Sequence, residues 1–178
     1  IIFNKIIYHL QGLDDPDLDY NHVVLYGGPG MGKTKIAKII GKIYSNLGIL
    51  SKGEFKEAKL TDLKAGYVGQ SEIKTQKLLE ESLGNVLFLD EAYSLGTNEN
   101  GKFDSYSQSI IDIINPFIEK YRRDFILIIA GYKNDLENRF FKGNQGLKSR
   151  FGLFIELESY TNTEMSKIFK SKIKKFNW

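Results

Sequence analysis

The stretch Val23-Val-Leu-Tyr-Gly-Gly-Pro-Gly-Met-Gly-Lys-Thr34 constrains the fold more than any other part of the chain. Four residues suited to a buried strand run into Gly27-x-x-x-x-Gly32-Lys33-Thr34, the phosphate-binding loop pattern. A backbone that wraps a polyphosphate turns its N–H groups inward, and glycine reaches those dihedrals without a Cβ clash. Gly27, Gly28, Gly30 and Gly32 supply that freedom, with Pro29 and Met31 completing the loop. Lys33 is placed to reach the outer phosphates and the Thr34 hydroxyl to bind Mg2+. The helix that starts here turns its positive dipole end toward the same anion. A glycine-rich turn that touches nothing is the competing reading. The strand before it and the amphipathic helix after it weigh against that.

At 178 residues the chain has the length of one ordinary domain with a sizeable core. Its 25 basic and 22 acidic residues leave a net charge of +3, so nothing demands nucleic acid or an anionic membrane as partner. No apolar run is long enough to span a bilayer and no signal peptide is expected. With no cysteine, disulfides, thiolate catalysis and cysteine-ligated zinc are excluded, and a reducing compartment such as the cytoplasm is expected. His9 and His22 are too few for a histidine metal cage. Arginine occurs only at Arg122, Arg123, Arg139 and Arg150, which draws attention to each.

Residues 1–20 read as a short packed helix, with apolar residues at Ile2, Ile6, Ile7 and Leu10, followed by an acidic loop containing Pro16. The absence of an initiator Met leads us to expect an excised piece of a longer protein. After Thr34, the spacing predicts a helix burying Ile36, Ile39, Ile40, Ile43 and Leu47 on one face and ending at Gly48 in a left-handed cap. A second strand is expected near 55–60 and a helix over 71–83. Between them, Lys64-Ala-Gly-Tyr-Val-Gly-Gln70 presents Tyr67 and Val68 between glycines, either as an ordinary packed ring or as one presented on a loop.

Asn85-Val-Leu-Phe-Leu-Asp-Glu-Ala92 fits a strand buried on both faces, with two carboxylates at its C-terminal end, where open parallel sheets bind ligands. With the loop at Gly27 to Thr34 these become complementary parts of one site. Asp90 would hold Mg2+, and Glu91 would polarise a water attacking the γ-phosphate. A glycine and asparagine-rich loop over 96–101 precedes a long helix over 105–121. Pro116 is expected to kink that helix or to restart it with Asn115 as N-cap. Strands are expected over 125–130 and 153–157. Thr161-x-x-Glu164 is a capping box opening a last basic helix. Strands alternating with helices predict a doubly wound parallel sheet.

Gly27 to Thr34, Ala65-Gly-Tyr-Val-Gly-Gln70, Val86-Leu-Phe-Leu-Asp-Glu-Ala-Tyr93, Ile129-Ala-Gly-Tyr132 and Asn144-Gln-Gly-Leu-Lys-Ser-Arg-Phe151 together resemble the AAA+ ATPases of the CbbX/CfxQ and stage V sporulation protein K branch. Order and spacing match from about residue 21 to 160. The resemblance implies an α/β P-loop NTPase fold with a five-stranded sheet of order 5-1-4-3-2. It divides the chain into an N-terminal helix and linker over 1–20, a nucleotide-binding subdomain over 21–160, and the start of a helical lid over 161–178.

The resemblance further implies ATP and Mg2+ as cofactors and a homo-oligomeric ring, usually hexameric, with ATP between neighbours. Arg150 takes the arginine-finger position, acting on the next subunit's site. A structural salt bridge is its alternative. Tyr67 and Val68 match the pore loop that grips a threaded protein client, and 96–102 the second pore loop. In many relatives a polar residue ending the fourth strand orients the water. Here the strand ends Ala130-Gly131-Tyr132, leaving Asn134 or Tyr132 as sensor. A lid arginine has no counterpart. The activity implied is ATP-driven remodelling of a client protein. A nucleotide-dependent scaffold without threading and a small-molecule kinase are the rivals.

Overall fold

The computed structural model describes residues 11–12, 20–64, 69–98, 101–142 and 144–175. Five parallel strands form one sheet: β1 (Val23–Tyr26), β2 (Phe55–Ala58), β3 (Val86–Leu89), β4 (Ile126–Gly131) and β5 (Leu153–Glu156). Their spatial order is β2-β3-β4-β1-β5, the expected 5-1-4-3-2 read from the other edge. β1 pairs with β4 through Val23↔Ile128 and with β5 through Val23↔Leu153, so it lies inside the sheet with its C-terminal end flanked on both sides.

Period-two alternation divides each buried strand between two cores. Val23, Leu25, Val86, Phe88, Ile126 and Ile128 face one helical layer, formed by α1 (Lys33–Asn46) through Ala37, Ile40 and Tyr44. Val24, Leu87, Leu89, Leu127 and Ile129 face the other. There α2 (Leu60–Leu63), α3 (Gln70–Glu81) and α4 (Ser105–Lys120) pack through Leu63, Leu79, Ile110, Ile114 and Ile118. Uninterrupted apolar runs are what a two-faced sheet requires, and Phe88 and Ile128 are fully buried.

α1 buries the expected face in part: Ile40 is in the core and Ile36 packs against it, while Ile43 and Leu47 are half-buried. It buries Ala37, Ile40, Gly41 and Tyr44, while Ile39 is 48% exposed. Gly41 lets the helix come close to β3, since a Cβ there would lie 3.0 Å from Val86 Cγ2. Gly48 takes φ 73 as predicted for the helix end. Asp104 caps α4 by accepting from Ser107 N–H, and the helix runs through Pro116 without restarting at Asn115. The short helix α2 was not expected. After β4 the chain forms α5 (Lys133–Asp135), a π-helical turn over Leu136–Phe141, and α6 (Gln145–Lys148). The predicted capping box forms: Thr161 N–H donates to Glu164 Oε2 at 2.8 Å, opening α7 (Asn162–Lys175). No helix among the described residues is long and apolar enough to cross a membrane.

His22 ties three of these elements together. Its Nδ1 accepts from Leu127 N–H of β4 at 3.1 Å, its Nε2 donates to Ile118 O of α4 at 3.2 Å, and its carbonyl accepts from Gly152 N–H ahead of β5 at 3.1 Å. Full burial lowers its pKa to about 4, since a charged imidazole would be desolvated and would turn a second donor toward Leu127. Between about pH 6.5 and 4 the unfolded chain binds a proton that the folded chain refuses. Stability is therefore intact above pH 6.5 and falls as pH drops toward 4, by about 3 kcal/mol in all. Urea unfolding at pH 7 and pH 4.5 checks this. The native chain is expected to lose more stability than a His22→Gln variant, and equal losses contradict it.

Candidate active site

Because every strand runs the same way, the segments leaving β1, β3 and β4 emerge at one edge of the sheet. Pro29, Gly30 and Lys33 from the first, Asp90, Glu91 and Tyr93 from the second, and Gly131 and Tyr132 from the third line one cavity of about 210 Å3. The predicted lysine and both predicted carboxylates thus line a single cavity.

The loop before α1 is built as its glycines suggested. Gly30 and Gly32 hold φ of 75 and 84, and Gly32 is the left-handed N-cap of α1. Gly27 is pinned at the sheet, its N–H donating to Gly131 O at 3.0 Å. A Cβ at Gly27 would meet Leu157 Cβ at 3.2 Å. Lys33 Nζ donates to Gly27 O at 3.2 Å and Gly28 O at 3.0 Å, so its ammonium is folded back onto the loop's own carbonyls. No side chain caps the N-terminus of α1, which leaves its first-turn N–H groups without the partner that helix starts usually recruit. An anion in the loop would satisfy those donors and draw Lys33 off the carbonyls. Thr34 sits in the same first turn, half-buried.

Across the cavity, Glu91 is the one described non-glycine residue with positive φ, at 53. For an L-residue this costs about 1 kcal/mol, and such strain collects at functional positions. It is locally fixed: Glu91 N–H donates to Asp90 Oδ1 at 2.9 Å, and Ser94 N–H donates to Glu91 O at 2.9 Å as a 3₁₀ turn (Ala92–Leu95) begins. No group of three or more acidic or histidine side chains forms a metal cage among the described residues. The donor set fits Mg2+ nonetheless, because that ion is usually held by one or two protein oxygens together with phosphates and water. Asp90 supplies such an oxygen to the cavity lining, and Thr34 stands next to Lys33 in the first turn of α1, outside that lining.

The other predicted positions are dispersed. Tyr132 lines the cavity, whereas Asn134 is exposed in α5 and is not part of the lining. Arg150 lies beyond α6, with Nε 2.8 Å from Glu119 Oε2 in an ionic contact that makes no directed hydrogen bond. Its Nη1 donates to Gly146 O. Tyr67 and Val68 lie outside the described residues. At the second expected pore loop, Gly96 and Thr97 are buried, and Asn98 N–H closes a turn onto Lys102 O at 2.8 Å.

Sequence reasoning missed Tyr93 and Tyr160. Tyr93 lines the cavity, and burial, aided by the Glu91 charge and a hydrogen bond to it, raises its pKa. Tyr160, where the chain leaves β5 for α7, donates its hydroxyl to Met31 O at 3.1 Å and so touches the phosphate loop. Tyr93 was visible only as the second residue after Glu91, and Tyr160 carried no sequence signal.

Residues 23–158 match the model of the ATPase family associated with various cellular activities (AAA). The chain belongs to the AAA ATPase family. A protein of Acanthamoeba polyphaga mimivirus described as cfxQ-like is 38% identical over 177 residues, covering 99% of this AAA chain and 43% of the relative. Stage V sporulation protein K of Bacillus subtilis is 39% identical over 152 residues, 85% of this chain and 46% of the relative. The ESX-1 secretion system protein EccA1 of Mycolicibacterium smegmatis is 40% identical over 149 residues, 84% and 26% respectively. The AAA chain therefore spans less than half the length of these relatives, and it falls in the CfxQ and sporulation protein K branch that its motifs resembled.

AAA ATPases bind ATP, and Lys33 lines the cavity with its ammonium on the loop carbonyls of Gly27 and Gly28. Lys33→Ala is expected to weaken ATP binding by about 2 kcal/mol, roughly thirtyfold, the scale of a hydrogen bond to a charged group. Titration with a fluorescent ATP analogue checks this, with the unfolding midpoint expected to stay in place because the alanine frees only two loop carbonyls to water.

Proposed function

We propose that the protein carrying this chain is a Mg2+-dependent ATPase that couples hydrolysis to remodelling of a client protein. The observation that supports this best is the meeting of Lys33, Asp90 and Glu91 in one cavity at the C-terminal ends of β1 and β3. The triphosphate would lie along Gly27, Gly28, Pro29, Gly30, Met31 and Gly32, with Lys33 on its outer phosphates. Thr34 and Asp90 would hold Mg2+, which neutralises charge on the phosphate oxygens when bound. Glu91 would accept a proton from a water whose oxygen attacks the γ-phosphorus as the bond to the β-phosphate oxygen breaks, releasing ADP and phosphate. Tyr132 and Asn134 are the two candidates for orienting that water, and the cavity wall favours Tyr132.

The assembly we propose is a homo-oligomeric ring, hexameric as in the wider family, acting in a reducing compartment such as the cytoplasm. Arg150 would leave Glu119 to reach the phosphates of a neighbouring subunit, where a guanidinium offsets charge that builds during transfer. Tyr67 and Val68 would contact the client in the central pore. Residues 21–160 would form the nucleotide-binding unit, residues 1–20 a preceding helix and linker, and 161–178 the start of a lid. The cfxQ-like and sporulation protein K relatives support this reading as members of the same branch.

In the full-length protein, Glu91→Gln is expected to keep ATP affinity and lower phosphate release by about a hundredfold or more, the range of a lost general base. Mixing Glu91→Gln subunits with Arg150→Ala subunits is expected to restore hydrolysis, because some sites then combine an intact Glu91 with a neighbour's intact Arg150. Failure to restore it contradicts the role in trans. Tyr67→Ala is expected to spare basal hydrolysis and abolish remodelling. Remodelling that survives it supports the scaffold reading.

A further inference from the structure

Tyr93 is held far more tightly than its half-buried position requires. Its ring lies 6.0 Å from that of Tyr132, and a Cβ at Gly131 would fall 2.8 Å from Tyr93 Cδ1, so only glycine at the end of β4 leaves room for the phenol. Arg139, in the π-helical turn, places its guanidinium carbon 5.8 Å from the Tyr93 ring centroid. Arg139 is anchored in turn: its Nε donates to Thr97 O at 2.9 Å, and Thr97 N–H donates to Arg139 O at 3.1 Å. Gly96 permits that contact, since a Cβ there would sit 2.6 Å from the Arg139 carbonyl carbon. The segment leaving Glu91 is thus fastened at both ends, by the strained turn at Glu91 and by the clasp of Gly96 and Thr97 on Arg139. The phenol between them shares the cavity with the Glu91 carboxylate.

We propose that Tyr93 is a positioning residue for Glu91, its hydroxyl holding one carboxylate oxygen so that the other faces the attacking water. The inference rests on the proposed ATPase reading and adds a residue to that site. A flexible glutamate in a left-handed turn has several rotamers open to it. A phenol fixed by Tyr132, Gly131 and Arg139 selects one. Arg139 and Gly131 then act at one remove, through the ring they fix. Arg139 lies in the π-helical turn, and such turns are frequent at functional sites.

The test is Tyr93→Phe in the full-length protein, which removes the hydroxyl and keeps the ring against Gly131. The expected result is a kcat lowered about tenfold, of the order that misplacing a general base costs, with KM for ATP within twofold. Gly131→Ala, which pushes the ring aside, is expected to reproduce the loss. A Tyr93→Phe enzyme with native kcat overturns the proposal even if Glu91→Gln is inactive, so the ATPase reading survives its failure. A fall in KM performance and melting temperature without a fall in kcat also overturns it, as the mark of a merely structural ring. A crystal structure of Tyr93→Phe gives a readout independent of turnover: the Glu91 carboxylate is expected to leave its position at the cavity wall, and an unmoved carboxylate overturns the proposal.

Discussion

One ammonium, Lys33 Nζ, shares a cavity with two carboxylates, and parallel strand order brings them together. β1 sits between β4 and β5, and β3 pairs with β4 on the far side. Every loop that leaves these strands therefore opens at the same edge. Were any one of them antiparallel, its loop would emerge at the opposite edge and the opposing charges would lie a strand's length apart. The apolar runs in β1, β3 and β4 thus have a functional consequence beyond stability. They bury the strands from both sides and so commit the sheet to the parallel, doubly covered form that gathers the site.

The parts of the site legible in the sequence are those whose chemistry is spelled by neighbouring residues. Gly27 to Thr34 is a local pattern, and the structure gives Gly30 and Gly32 the positive φ that their spelling required. Asp90 and Glu91 end an apolar run, and the run is a central strand. The capping box at Thr161 and Glu164 and the left-handed stop at Gly48 are equally local, and both form. Strand order was read through family resemblance rather than periodicity, since pattern alone names elements without saying which lie side by side.

What was illegible depends on contacts between distant residues. Isoleucines at helical spacing mark the buried face of α1 through Ile36 and Ile40, but the exposure of Ile39 and the close approach of Gly41 to Val86 show only in the packed pair. Of the two outcomes open at Pro116, a kink or a restart at Asn115, the restart does not occur: α4 continues, with Ile110, Ile114 and Ile118 of the flanking turns buried against the sheet. His22 gave no sign in sequence of joining β4 to α4, since its partners are backbone groups about a hundred residues away. Arg139 drew notice only through the rarity of arginine. Its clasp on Thr97 and its place over Tyr93 needed the π-helical turn, which no periodicity announces.

We propose that Lys33 exchanges the carbonyls of Gly27 and Gly28, on which it rests, for phosphate oxygens opposite Asp90 and Glu91. A crystal structure of the full-length Glu91→Gln protein grown with ATP and Mg2+ tests it most directly. The γ-phosphate is expected within hydrogen-bond reach of Lys33 Nζ, the ion beside Thr34 and Asp90, and both loop carbonyls released. A nucleotide bound elsewhere, or Lys33 still folded onto Gly27 O and Gly28 O with the triphosphate in place, would contradict it.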